Sequence, residues 1–281
     1  MWPGSPTIEL FPNVFKILGD LIHERTGLHY DREKRELLAE KLSPLAHRRG
    51  FGSFLDFYYL LKYGPDADEE WPHVIDALSV PETYFWREMG QIHALAAELL
   101  PDYVKRVPHG PIRLWCAACA TGEEPLTIAM VLAETGWLDR SDIQIHASDA
   151  SPAALAKARV GIYRERSFRA LPEHLREKYF TPVTNGWQVS AELSSRITWS
   201  CANLVEPSQV APLARVPIIF CRNVFIYFAE ETLARTIRLF AEGMLRPGYL
   251  CVGASESLLK LTDDFELVEA GDAFVYALKD R

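Results

Sequence analysis

The chain has 281 residues, 48% of them hydrophobic and 24% charged, with a mean hydropathy of -0.05, a composition that excludes disordered and fibrous proteins and implies a packed core. A formal net charge of -8 and a pI near 5.6 exclude a general nucleic-acid binder, because such affinity rests on Lys and Arg neutralising phosphates. No apolar run approaches the ~20 residues that span a bilayer, and MWPGSPTIEL lacks the charged and apolar regions of a signal peptide, so a cytoplasmic protein without membrane insertion is expected.

From Phe11 to about Leu78, apolar residues recur every three or four positions through VFKILGDLIHERTGL, REKRELLAEKLSPLAHRRG, FGSFLDFYYLLKYG and EEWPHVIDALS. Gly27, Gly50 and Gly64 punctuate them as helix stops. A separate helical domain of four or five helices is predicted over 1–78. Within it, residues 32–49 hold Arg32, Lys34, Arg35, Lys41, Arg48 and Arg49 against Glu33, Glu36 and Glu40. In an acidic protein this reads either as a docking surface for an acidic partner helix or as a solvated face with i,i+4 pairs.

LSVPETYFWRE, residues 78–88, comes next. Pro81 ends a helix, and Tyr84, Phe85 and Trp86 suit packing between two domains. The second domain is predicted over 79–281, with 79–110 as the interdomain segment. After Pro111 the short apolar runs IRLWCAACATG, IQIHASDA and PIIFCRNVFIYF alternate with the helical EEPLTIAMVLAET, SPAALAKARVGIY and EETLARTIRLFAEGML. This alternation predicts an α/β fold with a doubly wound, mostly parallel, Rossmann-like sheet. The closing runs, with a Gly-Asp turn in the second, add an antiparallel C-terminal edge. Asn185-Gly186 between alternating runs signals a hairpin, so a small β insert is predicted over about 179–203.

Ligands of such a sheet bind beyond the carboxyl ends of its strands. The first loop there is CAACATGEEP, 116–125, where Ala118 and Gly122 are among the small residues that let a backbone approach a ligand. Its Cys116 and Cys119 have no second Cys/His pair at metal spacing, and the five cysteines read as buried small residues in a reducing compartment. The loop lacks the dinucleotide spacing, and Glu123 and Glu124 at the next helix start repel phosphate. They suit a cationic cofactor such as S-adenosylmethionine (SAM), or else serve only the helix macrodipole.

Asp149 ends the second strand, where an acid commonly takes ribose hydroxyls, or it is a turn residue. Asn203 ends a further strand, either reading an adenine edge or forming an Asx turn. Arg222 and Asn223 interrupt an otherwise apolar run at a strand end, and Tyr227 follows four positions on, facing the same cleft. No Ser-His-Asp or metal constellation stands out.

Together these residues resemble the chemotaxis receptor methyltransferases, the CheR family. ETYFWRE (82–88), CATGEEP (119–125), ASDASPAALAKARVGIY (147–163) and IFCRNVFIYF (219–228) carry the match, which extends over nearly the whole chain. The resemblance implies an enzyme that methylates glutamate side chains of chemoreceptors, giving a glutamate methyl ester and S-adenosylhomocysteine. The basic stretch of the helical domain would then dock on the cytoplasmic helical region of a receptor; from the residues themselves no metal is expected, and no heptad seam demands more than a monomer.

The same resemblance implies a cofactor pocket of Thr83, Arg87, Ala118, Gly122, Glu123, Glu124, Asp149, Asn203, Leu204, Arg222 and Asn223. Arg87 and Tyr227 would flank the transferred methyl as catalytic residues. Two departures stand out: Pro81 replaces the family's usual Asn, and Ala118-Cys119-Ala120 lacks a usual Ser. Methylation of another protein or small acid, or a SAM-binding adaptor that has lost turnover, are the alternatives.

Overall fold

The computed structural model describes residues 6–280. Four helices come first: α1 (Pro12–Thr26), α2 (Arg35–Arg48), α3 (Phe54–Tyr63) and α4 (Ala67–Leu78). Each turns an apolar face inward, and Leu18, Ile22, Leu38, Leu42, Phe57, Leu61 and Val74 form a core of their own. Gly27 stops α1 in the left-handed conformation, φ 77°, with its N–H on the His23 carbonyl. Ser53 caps α3 by accepting the Leu55 N–H.

The segment predicted to link the two units is largely helical. It runs through α5 (Gly90–Ala94), a π turn (Leu95–Leu99) and α6 (Leu100–Arg106), and buries Ile92, Leu95, Leu99, Leu100 and Tyr103 with the apolar side chains of the sheet. Pro101 has no N–H for the preceding turn, which accounts for the wider π turn just before it.

The strands and helices that follow are β1 (Ile112–Ala117), α7 (Glu123–Glu134), α8 (Trp137–Arg140), β2 (Ile143–Asp149), α9 (Pro152–Val160), β3 (Ile162–Tyr163), α10 (Glu173–Tyr179), β4 (Phe180–Val183), β5 (Gly186–Val189), α11 (Ala191–Ser194), β6 (Ile197–Cys201), α12 (Pro207–Leu213), β7 (Ile218–Cys221), α13 (Glu230–Gly243), β8 (Tyr249–Cys251), β9 (Phe265–Ala270) and β10 (Ala273–Leu278). Seven form one sheet in the order β6-β2-β1-β7-β8-β10-β9, parallel as far as β8 and antiparallel at β10 and β9. Strand order reverses between β1 and β7, which opens a crevice at their carboxyl ends.

The predicted insert differs in extent. Residues 180–189 do form a hairpin, but they pair with β3 in a three-stranded sheet, whereas 197–201 is the edge strand β6 of the main sheet. The alternating pattern of an edge strand with one covered face is the same as that of a small insert, so the two were indistinguishable by period. Among the described residues, no helix is long and apolar enough to cross a membrane.

Candidate active site

The loop leaving β1 bends sharply. Ala118, Ala120 and Gly122 all have positive φ, 56°, 48° and 94°, which brings methyl-sized residues and bare backbone to the crevice. Asp149 holds this loop against the end of β2: its carboxylate accepts the Ala120 N–H at 2.8 Å and the Ser151 N–H at 2.8 Å. Burial pushes the Asp149 carboxyl up, and these two N–H groups pull it back. Asp149 lines the crevice. Ala118 does too, but Gly122 does not. A Cβ on Gly122 would stand 2.7 Å from the Trp199 ring and 3.1 Å from the Tyr163 hydroxyl, so this glycine permits close packing of α7 on its neighbours.

The two acids that open α7 part company. Glu123 is buried away from the crevice, where its carboxylate accepts the hydroxyls of Thr121 at 2.6 Å and Ser167 at 2.9 Å. A place for it in the cofactor pocket is thus corrected: successive helical residues point about 100° apart, and only one can face the crevice. Glu124 is that one, and it accepts Arg222 Nη1 at 3.0 Å. Burial pushes Glu124 up against the pull of Arg222 and Arg87.

Arg222, at the end of β7, is only 2% exposed in its side chain. Its Nη2 donates to the Arg87 and Glu88 carbonyls, each at 3.0 Å, and lies 3.3 Å from the Glu88 carboxylate, while Nε has no partner among the described residues. Burial lowers its pKa, but Glu124 and Glu88 outweigh that and raise it, so the charge is fixed. The side chain ties the sheet to segment 87–88 while also lining the crevice.

After β7 the chain turns at Asn223, φ 60°, into a short loop that carries Tyr227. Glu256 holds it. Its carboxylate accepts the N–H groups of Asn223 at 2.8 Å, Phe225 at 2.7 Å and Gly253 at 2.6 Å. Glu88 is visible in the sequence only as the last residue of ETYFWRE, with no role attached, and Glu256 lies about thirty residues from the loop it serves, where nothing in a single sequence links the two.

The helical unit closes the crevice from above. Thr26, Leu28, Ile75 and Ser79 line it beside Thr83 and Arg87, and Leu28 pairs with Phe228 while the His29 N–H meets the Tyr227 carbonyl at 2.9 Å. Asp76 of α4 accepts the Ser151 hydroxyl at 2.6 Å and the Ala153 N–H at 3.1 Å, which caps α9 from the other unit. Asn203 and Leu204 also line the crevice, but the Asn203 amide donates to the Arg25 carbonyl at 2.7 Å and its oxygen accepts the Val205 N–H. The Asn203 oxygen thereby closes an Asx turn, on a residue that still lines the crevice.

Arg87 and Tyr227 keep hydrogen-bonding capacity. Arg87 spends Nη1 on the Glu82 carbonyl at 2.9 Å and holds Nε 3.6 Å from Glu88, and its Nη2 meets no partner among the described residues. The Tyr227 and Thr83 hydroxyls likewise have none there, and Pro81 borders the same space. Cys116 and Cys119 are buried, and burial raises both thiols. Among the described residues no cluster of His, Cys, Asp and Glu could hold a metal.

The basic stretch at 32–49 is less free than its composition suggests. Lys41 donates to the Leu78 carbonyl at 2.9 Å, Arg48 and Arg49 both serve Glu70, which is 3% exposed, and Lys34 meets Asp31 at 3.1 Å. A buried Glu70 demands counter-charge, and that demand takes two of the six cations. Arg32 and Arg35 have no ion-pair partner among the described residues.

A crevice at the strand-order reversal, lined by carboxylates and by a loop of small residues, fits a cofactor with a ribose and a cationic methionyl end. Residues 81–274 match the CheR methyltransferase SAM-binding domain, and 13–79 match the CheR methyltransferase all-alpha domain. Chemotaxis protein methyltransferase 2 of Vibrio cholerae is 33% identical over 88% of this chain and 86% of its own. Chemotaxis protein methyltransferase 1 of Pseudomonas aeruginosa is 30% identical over 94% of this chain and 97% of its own. Fold, crevice and matches together define a SAM-dependent methyltransferase. Within that class, the chain belongs to the CheR methyltransferase family.

Proposed function

We propose that this chain methylates glutamate side chains of chemoreceptors, yielding the γ-methyl ester and S-adenosylhomocysteine, and that it acts in the cytoplasm as a monomer on the receptor's helical region. The observation that carries the reading is the pair of unspent donors, Arg87 Nη2 and the Tyr227 hydroxyl, in one crevice with the carboxylates Glu124 and Asp149. The cofactor, when bound, supplies an electrophilic methyl on a sulfonium. Asp149 holds the ribose, Glu124 faces the methionyl end, Leu204 and the backbone at Asn203 border the adenine, and Thr83, Ala118, Arg222 and Asn223 complete the wall.

A glutamate of ordinary pKa, ~4.3, is ionised at neutral pH and needs no general base. The protein's tasks are alignment and exclusion of water. Arg87 and Tyr227 orient the acceptor oxygens through hydrogen bonds, and the helical unit above the crevice keeps water from the nucleophile. Arg87→Ala is expected to keep the fold and lose transfer by about a hundredfold or more. Near-wild-type turnover by that variant, assayed with methyl-labelled SAM, would remove Arg87 from the mechanism.

A further inference from the structure

The turn Glu165–Phe168 lies beside the crevice and is held from three sides. The Phe85 N–H meets the Ser167 carbonyl at 2.9 Å, the Ser167 hydroxyl donates to buried Glu123 at 2.9 Å, and Phe168 packs on Phe85 and Phe180 with ring centres 5.2 and 5.0 Å away. Glu123 thus has a task outside the cofactor pocket. It anchors a turn that carries two outward-facing cations, Arg166 and Arg169, whose side chains are 73% and 39% exposed.

Both arginines pair with Glu82, Arg169 at 2.9 Å. The Arg169 guanidinium lies 3.6 Å over the Tyr84 ring, and that of Arg87 lies 5.7 Å from the same ring. Glu82 and Tyr84 line the crevice. Three guanidinium groups therefore gather around two crevice residues, with Glu82 the carboxylate between Arg166 and Arg169. Glu165, the other acid of the turn, is taken up by Arg176. In a chain of net charge -8 this basic mouth is a local exception.

We propose that Arg166 and Arg169 form a second carboxylate-binding site at the mouth of the crevice, which takes an acidic side chain adjacent to the target glutamate of the acceptor protein. The proposal rests on the methyl-transfer reading above. An exposed arginine–carboxylate pair is weak, so Glu82 yields readily to an incoming carboxylate. The guanidinium fork suits such a group, and an anchored turn loses little freedom when it binds. The second site selects acceptors by their neighbouring charge, while Arg87 and Tyr227 orient the reacting carboxylate.

The test uses the full chain saturated with S-adenosylhomocysteine and two fluorescein-labelled helical peptides, one with a Glu-Glu pair and one with a single Glu of the pair replaced by Gln. Fluorescence anisotropy is expected to show that the wild type prefers the Glu-Glu peptide. Arg166→Gln/Arg169→Gln should bind that peptide about tenfold more weakly and lose the preference. Arg166→Lys/Arg169→Lys should restore part of it, and calorimetry should find S-adenosylhomocysteine affinity unchanged in both variants. Equal binding of the two peptides by the wild type, or an unaltered preference in the Gln variant, would overturn the proposal. Should the double Gln variant fail to fold, Arg166→Gln alone, at a side chain 73% exposed, takes its place in the same assay, and an unaltered preference there overturns the proposal. A retained preference without methyl transfer to either peptide would sink the methyl-transfer reading and leave the carboxylate site standing.

Discussion

Arg222 couples the sheet to the segment above it through one side chain. Its guanidinium is shared by Glu124 and Glu88, so its removal leaves Glu124, 17% exposed, without its ion-pair partner, and takes one of several donors from Glu88. Arg222→Met is expected to lower the unfolding free energy by about 3–5 kcal/mol, read by urea denaturation. A loss below about 1 kcal/mol would mean that the pair is no better than a surface one. Glu124 and Asp149 make a different statement, because burial raises both. A carboxyl with a raised folded pKa contributes stability that is fully present below its unfolded value, about 4, and is lost as pH rises through the folded value. A cationic ligand needs the ionised form, so affinity moves the other way and rises across that window. Calorimetry with S-adenosylhomocysteine, whose amino group is positive, should show weaker binding at about pH 5 than at about pH 7, and Glu124→Gln should remove part of that difference. A flat profile for the wild type would contradict it.

Two loops turn the strand ends into a site. The 118–122 loop depends on Gly122, where a Cβ would meet Trp199 at 2.7 Å in a backbone with φ 94°. Gly122→Ala is expected to cost about 2–3 kcal/mol and to weaken S-adenosylhomocysteine binding as the start of α7 shifts. The 223–228 loop depends on Glu256, and Glu256→Ala should lower methyl transfer by more than about tenfold while cofactor affinity changes less, because the loop carries Tyr227. Equal losses in both quantities would assign Glu256 to the cofactor end instead. The sequence made parts of this legible. Asp149 and Arg222 stood out because a charge at a strand's carboxyl end has few other reasons to be there. Glu123 and Glu124 were not separable by pattern, since which of two adjacent helical residues faces a crevice depends on how the helix is rotated. The Asn203 amide and Lys41 were taken up by carbonyls of Arg25 and Leu78, partners distant in sequence that no local rule supplies.

At the scale of the whole molecule, the helical unit is a wall of the active site as well as a neighbour to it. Leu28–Phe228, His29–Tyr227, Asp76–Ser151 and Asn203–Arg25 cross between it and the loops of the sheet. Helix periods and the alternation of strands revealed both units, because burial imposes those periods. Their mutual placement rests on single polar contacts and left no periodic trace. That placement puts Arg87 and Tyr227 under a helical cover, in one crevice with Thr26, Leu28, Ile75 and Ser79. The most direct test is to incubate the protein with methyl-labelled SAM and a chemoreceptor cytoplasmic fragment, then to treat the product with base. The expected result is label on the fragment's glutamates that base releases as methanol, and that Arg87→Ala fails to install. Binding of S-adenosylhomocysteine without any base-labile label, or label stable to base, would contradict methylation of glutamate.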